Sequence, residues 1–337
     1  MTNIALIILS TLLFVNPVWT SQTSGVNSRL RGVSAVNVQV CWASGADSTV
    51  LRTIDGGSSW RKLNVTTDAL DFRDIDAIDT QTAFALSIGN GPASRIYKTT
   101  DGGATWSLQF KNENPKAFFD AMSFWDAQHG IVFGDSFDGH FDVLITENGG
   151  ESWTRVDPHK LPPALPNEGA FAASGTNIAV FGKDHAWIGT GAGERARVLR
   201  TSDRGRTWQV ADTPLASAQS SGIFSIAFRD KKHGVVVGGD YTKENEAINN
   251  LAFTTDGGLT WSIGQGLTGF RSVVAYIPGT DSGLVAIGPS GGDYSTDDGK
   301  TWKPIPNTSF DTFSFVRGKA LGWASGAKGN IGKLNIK

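Results

Sequence analysis

Three similar four-residue stretches of the sequence each carry an arginine at the second position. The stretches read LRGV, FRDI and FRSV, and the second residue of each is Arg31, Arg73 or Arg271. Acidic residues lie at or beside the equivalent positions: Asp74, Asp120 and Glu168. Because a guanidinium holds a carboxylate through two parallel hydrogen bonds, three arginines on one rim would bind acidic groups or a peptide. The alternative is that these side chains form Arg–Asp pairs that join adjacent repeats.

Hydrolytic chemistry is the second hypothesis that the residue types allow. A glycoside hydrolase needs two carboxyl groups that flank the scissile bond. The long loops supply Asp135 and Asp240 beside Glu168, and Tyr241 follows Asp240 directly. A sialidase usually has an Arg-Ile-Pro motif near its start, and no such motif occurs in this sequence. Acidic loops are also ordinary solvated surface, so we predict no catalytic residue and keep a glycoside hydrolase as the enzymatic alternative.

Cofactor, metal and nucleic-acid binding find little support. The formal net charge is -2, whereas a nucleic-acid binder shows a basic stripe. The stretch GTGAGERAR carries Glu194 where a dinucleotide loop has its third glycine, and no helix follows it. The histidines show no spaced ligand set for a metal. We therefore predict no cofactor and no metal.

One eight-residue pattern, S/T-x-D-x-G-x-x-W, recurs six times. Its tryptophans lie 41 to 55 residues apart, a period typical of the four-stranded blades of a β-propeller. Asp-Gly between apolar runs predicts a hairpin turn, with the carboxylate accepting backbone N–H groups. We interpret the central residue of each copy as structural: Asp55, Asp101, Asn148, Asp203, Asp256 and Asp297. Asn148 stands in place of aspartate and can make the same bonds.

The repeats predict an all-β fold, a seven-bladed β-propeller with four strands in each blade. After the sixth box, GWASGAKGNIGKL copies CWASGADSTVLRT of the first unit, so a seventh unit begins but ends after three strands. Residues 22–28 can add its fourth strand and close the ring, which leaves no free sheet edge. In the fourth unit, GAFAASG is the expected opening strand.

The loops opposite the box turns vary most in length, which predicts that the face carrying these loops is the functional face.

The first residues predict export. Residues 4–15 are an apolar run that is too short to span a bilayer but suits a signal-peptide core. We predict a signal peptide over residues 1–21 and a single propeller domain over residues 22–337, in the periplasm or outside the cell. The alternative is that the segment stays uncleaved as an anchor.

The boxes match the Asp-box, or bacterial neuraminidase, repeat of the sialidase-like superfamily. Together with the GWASG strands they cover nearly the whole predicted domain, which resembles the photosystem II assembly and stability factors. That resemblance implies a non-catalytic scaffold that binds a protein segment, including one of a membrane-associated partner, on the face opposite the boxes. A glycan is the alternative ligand, and an oxidoreductase role rests on a label that some similar sequences carry.

Overall fold

The chain forms a ring of seven small sheets around a central axis, described here from a computed structural model covering residues 17–336. Each sheet contains four antiparallel strands. The innermost strands contact one another in sequence around the ring, and the innermost strand of the last blade contacts that of the first. The predicted seven-bladed, all-β propeller is therefore confirmed.

The strands are short, as β-branched and aromatic runs between Gly- and Asp-rich turns require. Numbered along the chain and grouped by blade, their bounds are as follows: in blade 1, β2 (Leu30–Ala35), β3 (Cys41–Gly45), β4 (Thr49–Thr53) and β5 (Arg61–Leu63); in blade 2, β6 (Asp71–Ala77), β7 (Ala83–Ile88), β8 (Arg95–Thr99) and β9 (Ser107–Lys111); in blade 3, β10 (Phe119–Phe124), β11 (Gly130–Phe137), β12 (His140–Thr146) and β13 (Thr154–Arg155); in blade 4, β14 (Ile178–Phe181), β15 (His185–Gly189), β16 (Arg197–Thr201) and β17 (Gln209–Asp212); in blade 5, β18 (Ser221–Phe228), β19 (Gly234–Asp240), β20 (Leu251–Thr254) and β21 (Ser262–Ile263); in blade 6, β22 (Val273–Tyr276), β23 (Leu284–Gly288), β24 (Gly291–Ser295) and β25 (Lys303–Ile305); in blade 7, β26 (Thr312–Phe315), β27 (Leu321–Ser325), β28 (Asn330–Ile336) and β1 (Pro17–Thr23). Helical structure in residues 17–336 consists of three single-turn 3-10 segments: Gly91–Ala93, Pro158–Lys160 and Ala327–Gly329.

Blade 7 joins the two ends of the chain. Strand β1 pairs antiparallel with β28 along its whole length, from Pro17 opposite Ile336 to Thr23 opposite Asn330. The Trp19 ring lies 4.6 Å from Phe310, and its indole N–H donates to Thr308 Oγ1 at 2.9 Å. Closure by an N-terminal strand is confirmed, and the strand begins earlier than the segment 22–28. The predicted signal-peptide end at residue 21 falls within β1, and residues 1–16 lie outside the described part of the chain.

The hydrophobic core is divided among the interfaces between neighbouring blades. Seven separate buried clusters each join residues from two adjacent blades. The box tryptophans add to these clusters; Trp106, for example, packs edge-on against Trp42 of the preceding blade, with centroids 6.1 Å apart. Burying a large aromatic ring stabilises each interface, so the box couples a turn to its neighbouring blade.

Five of the six box turns are held by one aspartate carboxylate together with the hydroxyl of the leading Thr or Ser. In blade 2, the Asp101 carboxylate accepts the Thr105 N–H at 2.9 Å and the hydroxyl groups of Thr99 and Thr105. Thr99 Oγ1 in turn accepts the Gly103 N–H at 2.9 Å. These bonds favour the ionised form and lower the pKa of Asp101 to about 2, with the Thr105 hydroxyl as the largest cause. The box carboxylates are therefore occupied by their own turns.

The third box keeps its shape without a carboxylate. Asn148 Oδ1 accepts the Ser152 N–H at 3.0 Å and the Thr146 hydroxyl at 3.0 Å, as Asp101 does in its turn. The Asn148 side-chain amide instead donates to Ser152 Oγ at 2.9 Å, which reverses that bond. The expectation that asparagine makes the same turn bonds agrees with this geometry.

Blade 4 departs from the strand pattern that the sequence predicts. Residues 169–175, the expected opening strand, belong to no strand, and β14 begins only at Ile178. The prediction of an opening strand at residues 169–175 is therefore wrong. The side chains and carbonyls of residues 172–176 form hydrogen bonds with other blades across the axis. The alternating apolar pattern here therefore belongs to a segment at the centre of the ring and not to a strand.

Candidate functional site: the axial cavity

A cavity of about 500 Å³ opens at one end of the propeller axis, and residues from all seven blades line it. The lining residues come from the starts of the innermost strands and from the loops that join the second and third strands of the blades. Box turns join third and fourth strands, so in an up-and-down blade they lie at the other end. The cavity therefore belongs to the face opposite the Asp-boxes.

A repeated β-bulge aims side chains into this cavity. The pairing of innermost and second strands skips one residue in four blades: Arg31, Arg73, Asp120 and Phe224. A bulge leaves its extra residue unpaired and turns its side chain out of the regular alternation. All four residues line the cavity. Phe224 was not identified from the sequence. The alignment of IFSI with LRGV could have found it, because Phe224 takes the position that Arg31 has in the first repeat.

Arg31 is the least compensated charge at the cavity. It makes no hydrogen bond or ion pair within residues 17–336, while Arg29 forms a bidentate pair with Asp311 at 2.8 and 2.6 Å. Burial, and then repulsion from Arg73, lowers the pKa of Arg31 to about 10. Arg73 itself donates to Asp71 and to the Ala172 carbonyl, each at 2.8 Å. Arg31 thus presents a half-buried cation with no anion hydrogen-bonded to it.

A pair of carboxyl groups lies on the blade 3 wall. The side chain of Asp120 is almost fully buried, and no N–H or O–H group of the described residues donates to its Oδ2. Burial, and then the adjacent charge of Asp135, raises the pKa of Asp120 well above its usual range. Asp135 Oδ1 accepts the Ala170 N–H at 3.0 Å. Two carboxylates in contact cannot both ionise readily, so the pair holds a proton.

An aromatic wall completes the cavity on the side of blades 4 to 6. Phe171 stacks on Phe224 with centroids 4.0 Å apart, and Phe270 meets Phe224 edge-on at 4.6 Å. Tyr241 contacts both rings of the stack and is 49% exposed. An exposed tyrosine against buried rings is suited to contact a ligand that enters from solvent.

Residues 172–176 form an axial segment that crosses the channel beneath the cavity. Its carbonyls accept hydrogen bonds from Arg73 and from Thr312 of blade 7, at 2.8 and 2.9 Å. Ser174 Oγ donates to the Ser272 carbonyl of blade 6 at 2.7 Å, and Thr176 Oγ1 donates to Ser225 of blade 5 at 2.8 Å. The axial segment closes the inner end of the cavity, so the mouth is the way in.

Gly175 allows this crossing. Its φ is +71°, in the left-handed region that favours glycine, and a Cβ there would collide with the Asp74 carboxyl. Asp74 accepts the Met122 N–H at 2.8 Å and is 5% exposed. Asp74 therefore supports the axial segment from blade 2 rather than facing the cavity.

The other predicted site residues are placed differently. Of nine, five line the cavity: Arg31, Arg73, Asp120, Asp135 and Tyr241. Arg271 is 1% exposed and pairs with Asp293, with Nε to Oδ2 at 2.8 Å. Glu168 is also 1% exposed and forms a bidentate pair with Arg197. Both residues form charge pairs, as the alternative hypothesis expects. The pairs do not join adjacent blades, however: one lies within blade 6 and the other joins blade 4 to the connection that precedes it.

Asp240 lies next to the mouth but outside the cavity lining. Its carboxylate accepts the Thr242 N–H and hydroxyl at 2.9 and 2.7 Å. The Thr242 hydroxyl is the largest cause of a lowered pKa at Asp240. Asp240 therefore stabilises the turn that carries Tyr241, and its role toward a ligand stays a prediction.

We expect Asp74→Asn to stabilise the protein at neutral pH. Burial raises the pKa of Asp74 well above its usual range, so the folded state favours the neutral acid. The stability contribution of such a group is complete below the unfolded pKa of about 3.9 and is lost as pH rises toward the folded value. Asparagine stays neutral, so its advantage should grow from near zero at pH 4 to about 1 kcal/mol or more at pH 7.

Chemical denaturation at pH 4 and pH 7 measures this difference. The control is Asp281→Asn, in an exposed turn of blade 6, which should give the same small change at both pH values. An Asp74→Asn protein that is less stable than the wild type at pH 7 would show that the carboxylate form supports the axial segment.

Fold and cavity together define a seven-bladed Asp-box propeller with a ligand-sized pocket at one axial mouth. The family model described as BNR/Asp-box repeat matches residues 293–304, the sixth box. The chain is similar to the photosystem II assembly lipoprotein Ycf48 of Synechococcus sp. (strain CC9902), with 26% identity over 271 residues, 78% of this chain and 72% of that protein. The predicted resemblance to an Asp-box propeller of the photosystem II assembly factors is confirmed.

Solved structures agree on the fold. YCF48 bound to a D1 peptide superposes with a TM-score of 0.67 at 16% identity, over 95% of this chain and 97% of that one. YCF48 from Cyanidioschyzon merolae gives 0.63 at 19%, over 94% and 98%. The GH74 xyloglucanase from Xanthomonas campestris gives 0.66 at 14%, over 94% of this chain and 53% of that one. Since an enzyme and a binding protein share this architecture, the site has to decide the function.

Within residues 17–336, no helix has the length and apolar character needed to cross a membrane. No group of three His, Cys, Asp or Glu side chains in the same residues is arranged to hold a metal ion. Cys41 is a buried thiol on β3.

Proposed function

We propose that this protein is a non-catalytic propeller that binds a segment of another protein in the axial cavity, on the face opposite the Asp-boxes. The observation that carries the proposal is Arg31, a half-buried guanidinium with no hydrogen-bonded anionic partner at the mouth of a pocket. Burying an uncompensated cation costs free energy, and a carboxylate that enters the cavity offsets that cost through charge-assisted hydrogen bonds.

The relatives support a protein ligand. One of the superposed propellers carries a D1 peptide, and the curated relative is described as an assembly protein. For this chain the same kind of partner follows from the cavity: two arginines for a carboxylate and an aromatic wall for an apolar side chain. The partner can be part of a membrane-associated assembly, since a segment of one chain is all that the cavity takes.

A glycoside hydrolase fits the cavity less well. That reaction uses two carboxyl groups about 5 to 10 Å apart, one as acid and the other as base or nucleophile. Asp120 and Asp135 instead lie close enough for the charge of one to raise the pKa of the other, and Glu168 is held by Arg197. Binding therefore accounts for the geometry better than hydrolysis does.

We also propose that the protein works outside the cytoplasm, on the apolar run of residues 4–15. Fractionation of cells that express the full chain, followed by N-terminal sequencing, tests this. Recovery in the cytoplasmic fraction with residues 1–16 intact would contradict export.

The binding proposal predicts which peptides the cavity selects. A displayed library of random octapeptides is panned against the wild type, Arg31→Gln and Arg317→Gln. Arg317 is an exposed arginine in the turn after β26, at the opposite end of the axis, and serves as the matched control. We expect wild type and control to enrich sequences with an acidic residue, and Arg31→Gln to bind them about 10- to 100-fold more weakly, because a charged hydrogen bond is lost.

Two results would overturn the proposal. If the wild type enriches no sequence over an empty surface, the cavity is not a peptide site, and glycan arrays become the next screen. If Arg31→Gln and Arg317→Gln bind the selected peptides equally well, the binding surface lies elsewhere.

A further inference from the structure

We infer that the bound segment carries a basic side chain as well as a carboxylate, and that the basic group binds at Asp120 and Asp135 beside the aromatic wall. This inference rests on the proposed peptide-binding function and names the chemistry of the ligand. It follows from a division of the cavity into two halves of opposite character.

The first half attracts anions. Blades 1 and 2 contribute three arginines to the lining, Arg29, Arg31 and Arg73. Two of them have carboxylate partners, Asp311 for Arg29 and Asp71 for Arg73, which leaves Arg31 as the unmatched positive charge. A carboxylate is the group whose two oxygens fit such a guanidinium.

The second half attracts cations. The carboxyls of Asp120 and Asp135 lie against each other on the blade 3 wall, with no arginine or lysine paired to either within residues 17–336. Glu168, which directly precedes the connection of residues 169–176, is already neutralised by Arg197. The connection packed against the pair, residues 169–176, contains no titratable side chain. Without a ligand, a proton therefore neutralises part of the negative charge of Asp120 and Asp135. A basic side chain of the ligand can take the place of that proton.

The aromatic wall continues this second half. Phe171 and Phe224 line the cavity beside the carboxyl pair, and Tyr241 stands exposed above them. The faces of aromatic rings attract Lys and Arg side chains, more strongly where water is excluded. Carboxyl groups and ring faces in one half of a pocket therefore favour a cation over a neutral side chain.

Arg31 and the Asp120–Asp135 pair line the same small cavity. A cavity of about 500 Å³ lies within the size range of pockets for compact ligands, so one short segment reaches both halves. The competing interpretation is that the protonated Asp120 donates a hydrogen bond to the same carboxylate that Arg31 holds. In that case the ligand needs no basic group, and removal of both carboxyl groups leaves peptide selection without a basic preference to lose.

The panning of octapeptides described above, repeated with the double variant Asp120→Asn, Asp135→Asn, tests the inference. Two asparagines keep the size and the hydrogen-bonding groups of the pair, but neither can become an anion. We expect wild-type selection to enrich Lys or Arg together with Asp or Glu, and the double variant to lose the basic preference while it keeps the acidic one. A peptide from the wild-type pool, and its analogue with norleucine in place of the basic residue, are then titrated calorimetrically. The analogue should bind the wild type about 10- to 100-fold more weakly.

Proton release gives an independent readout. Titration in phosphate and in Tris at pH 7 should show that the basic peptide releases up to one proton from the pair and that the norleucine analogue does not. Tyr241→Leu, at a half-exposed position, should weaken the basic peptide more than the analogue through loss of the ring.

The outcomes separate the two proposals. Acidic enrichment without basic enrichment, or equal affinity for peptide and analogue, overturns the inference and leaves the proposed function standing. Unchanged basic selection by the double variant Asp120→Asn, Asp135→Asn also overturns it. Absence of any selected peptide overturns both.

Discussion

A chain that begins at residue 22 should lose most of the stability of the propeller, whereas one that begins at Pro17 should keep it. The shorter chain lacks five of the seven residues of β1, so β28 becomes an unpaired edge. It also lacks Trp19, whose ring packs on Phe310 and Phe313. A large aromatic contributes about 3 kcal/mol or more to a core, against a typical total of about 5–15 kcal/mol.

Differential scanning calorimetry of both chains measures the effect, and we expect a Tm lower by roughly 10 °C or more for the shorter one. In the full chain, Trp19→Ala should account for a large part of that loss. Val18→Ala is the control, because Val18 is 55% exposed on the same strand. Equal melting temperatures for the chains from residues 17 and 22 would show that β1 is dispensable.

Glu168→Ala should be the most destabilising single substitution among the predicted site residues. Glu168 accepts hydrogen bonds from Arg197, from the Thr190 hydroxyl at 2.6 Å and from the Leu165 N–H at 2.8 Å. Its removal leaves the buried Arg197 guanidinium unpaired, which costs about 3–5 kcal/mol. Urea denaturation measures this loss. Peptide binding should also weaken, because the connection that carries Phe171 loses its anchor.

The double variant Glu168→Leu, Arg197→Met tests the cause. Apolar residues of similar size remove both charges, so the double variant should recover much of the lost stability. If it is as unstable as Glu168→Ala, the shape of the connection matters more than the uncompensated charge.

The sequence predicts the ring well because its signals are local. A box such as residues 99–106 contains all the partners of its turn, and the copy of GWASG near the end of the chain indicates the seventh blade. Each blade then needs only its neighbours. The same locality explains why five of nine predicted site residues line one cavity, since the aligned strand starts share a place in every blade.

The failures involve contacts across the ring. Arg271 aligns with Arg31 and Arg73, but Asp293 lies within reach on β24 of the same blade. The Arg271 guanidinium therefore pairs with this buried carboxylate and does not line the cavity. Residues 169–175 alternate like a strand, yet their partners lie in blades 2, 5, 6 and 7, far away along the sequence. No local pattern distinguishes a strand from a segment whose partners are that distant.

The axial segment has a consequence for how the ring comes apart. In an array of repeats, each unit touches only its neighbours, so units can unfold one after another. Here residues 172–176 hydrogen-bond both to blade 2 and to blades 5, 6 and 7 on the other side of the axis. Loss of one of these blades removes partners from the axial segment and thereby weakens its contacts with the others. We therefore expect the seven repeats, which look independent along the sequence, to unfold in a single transition.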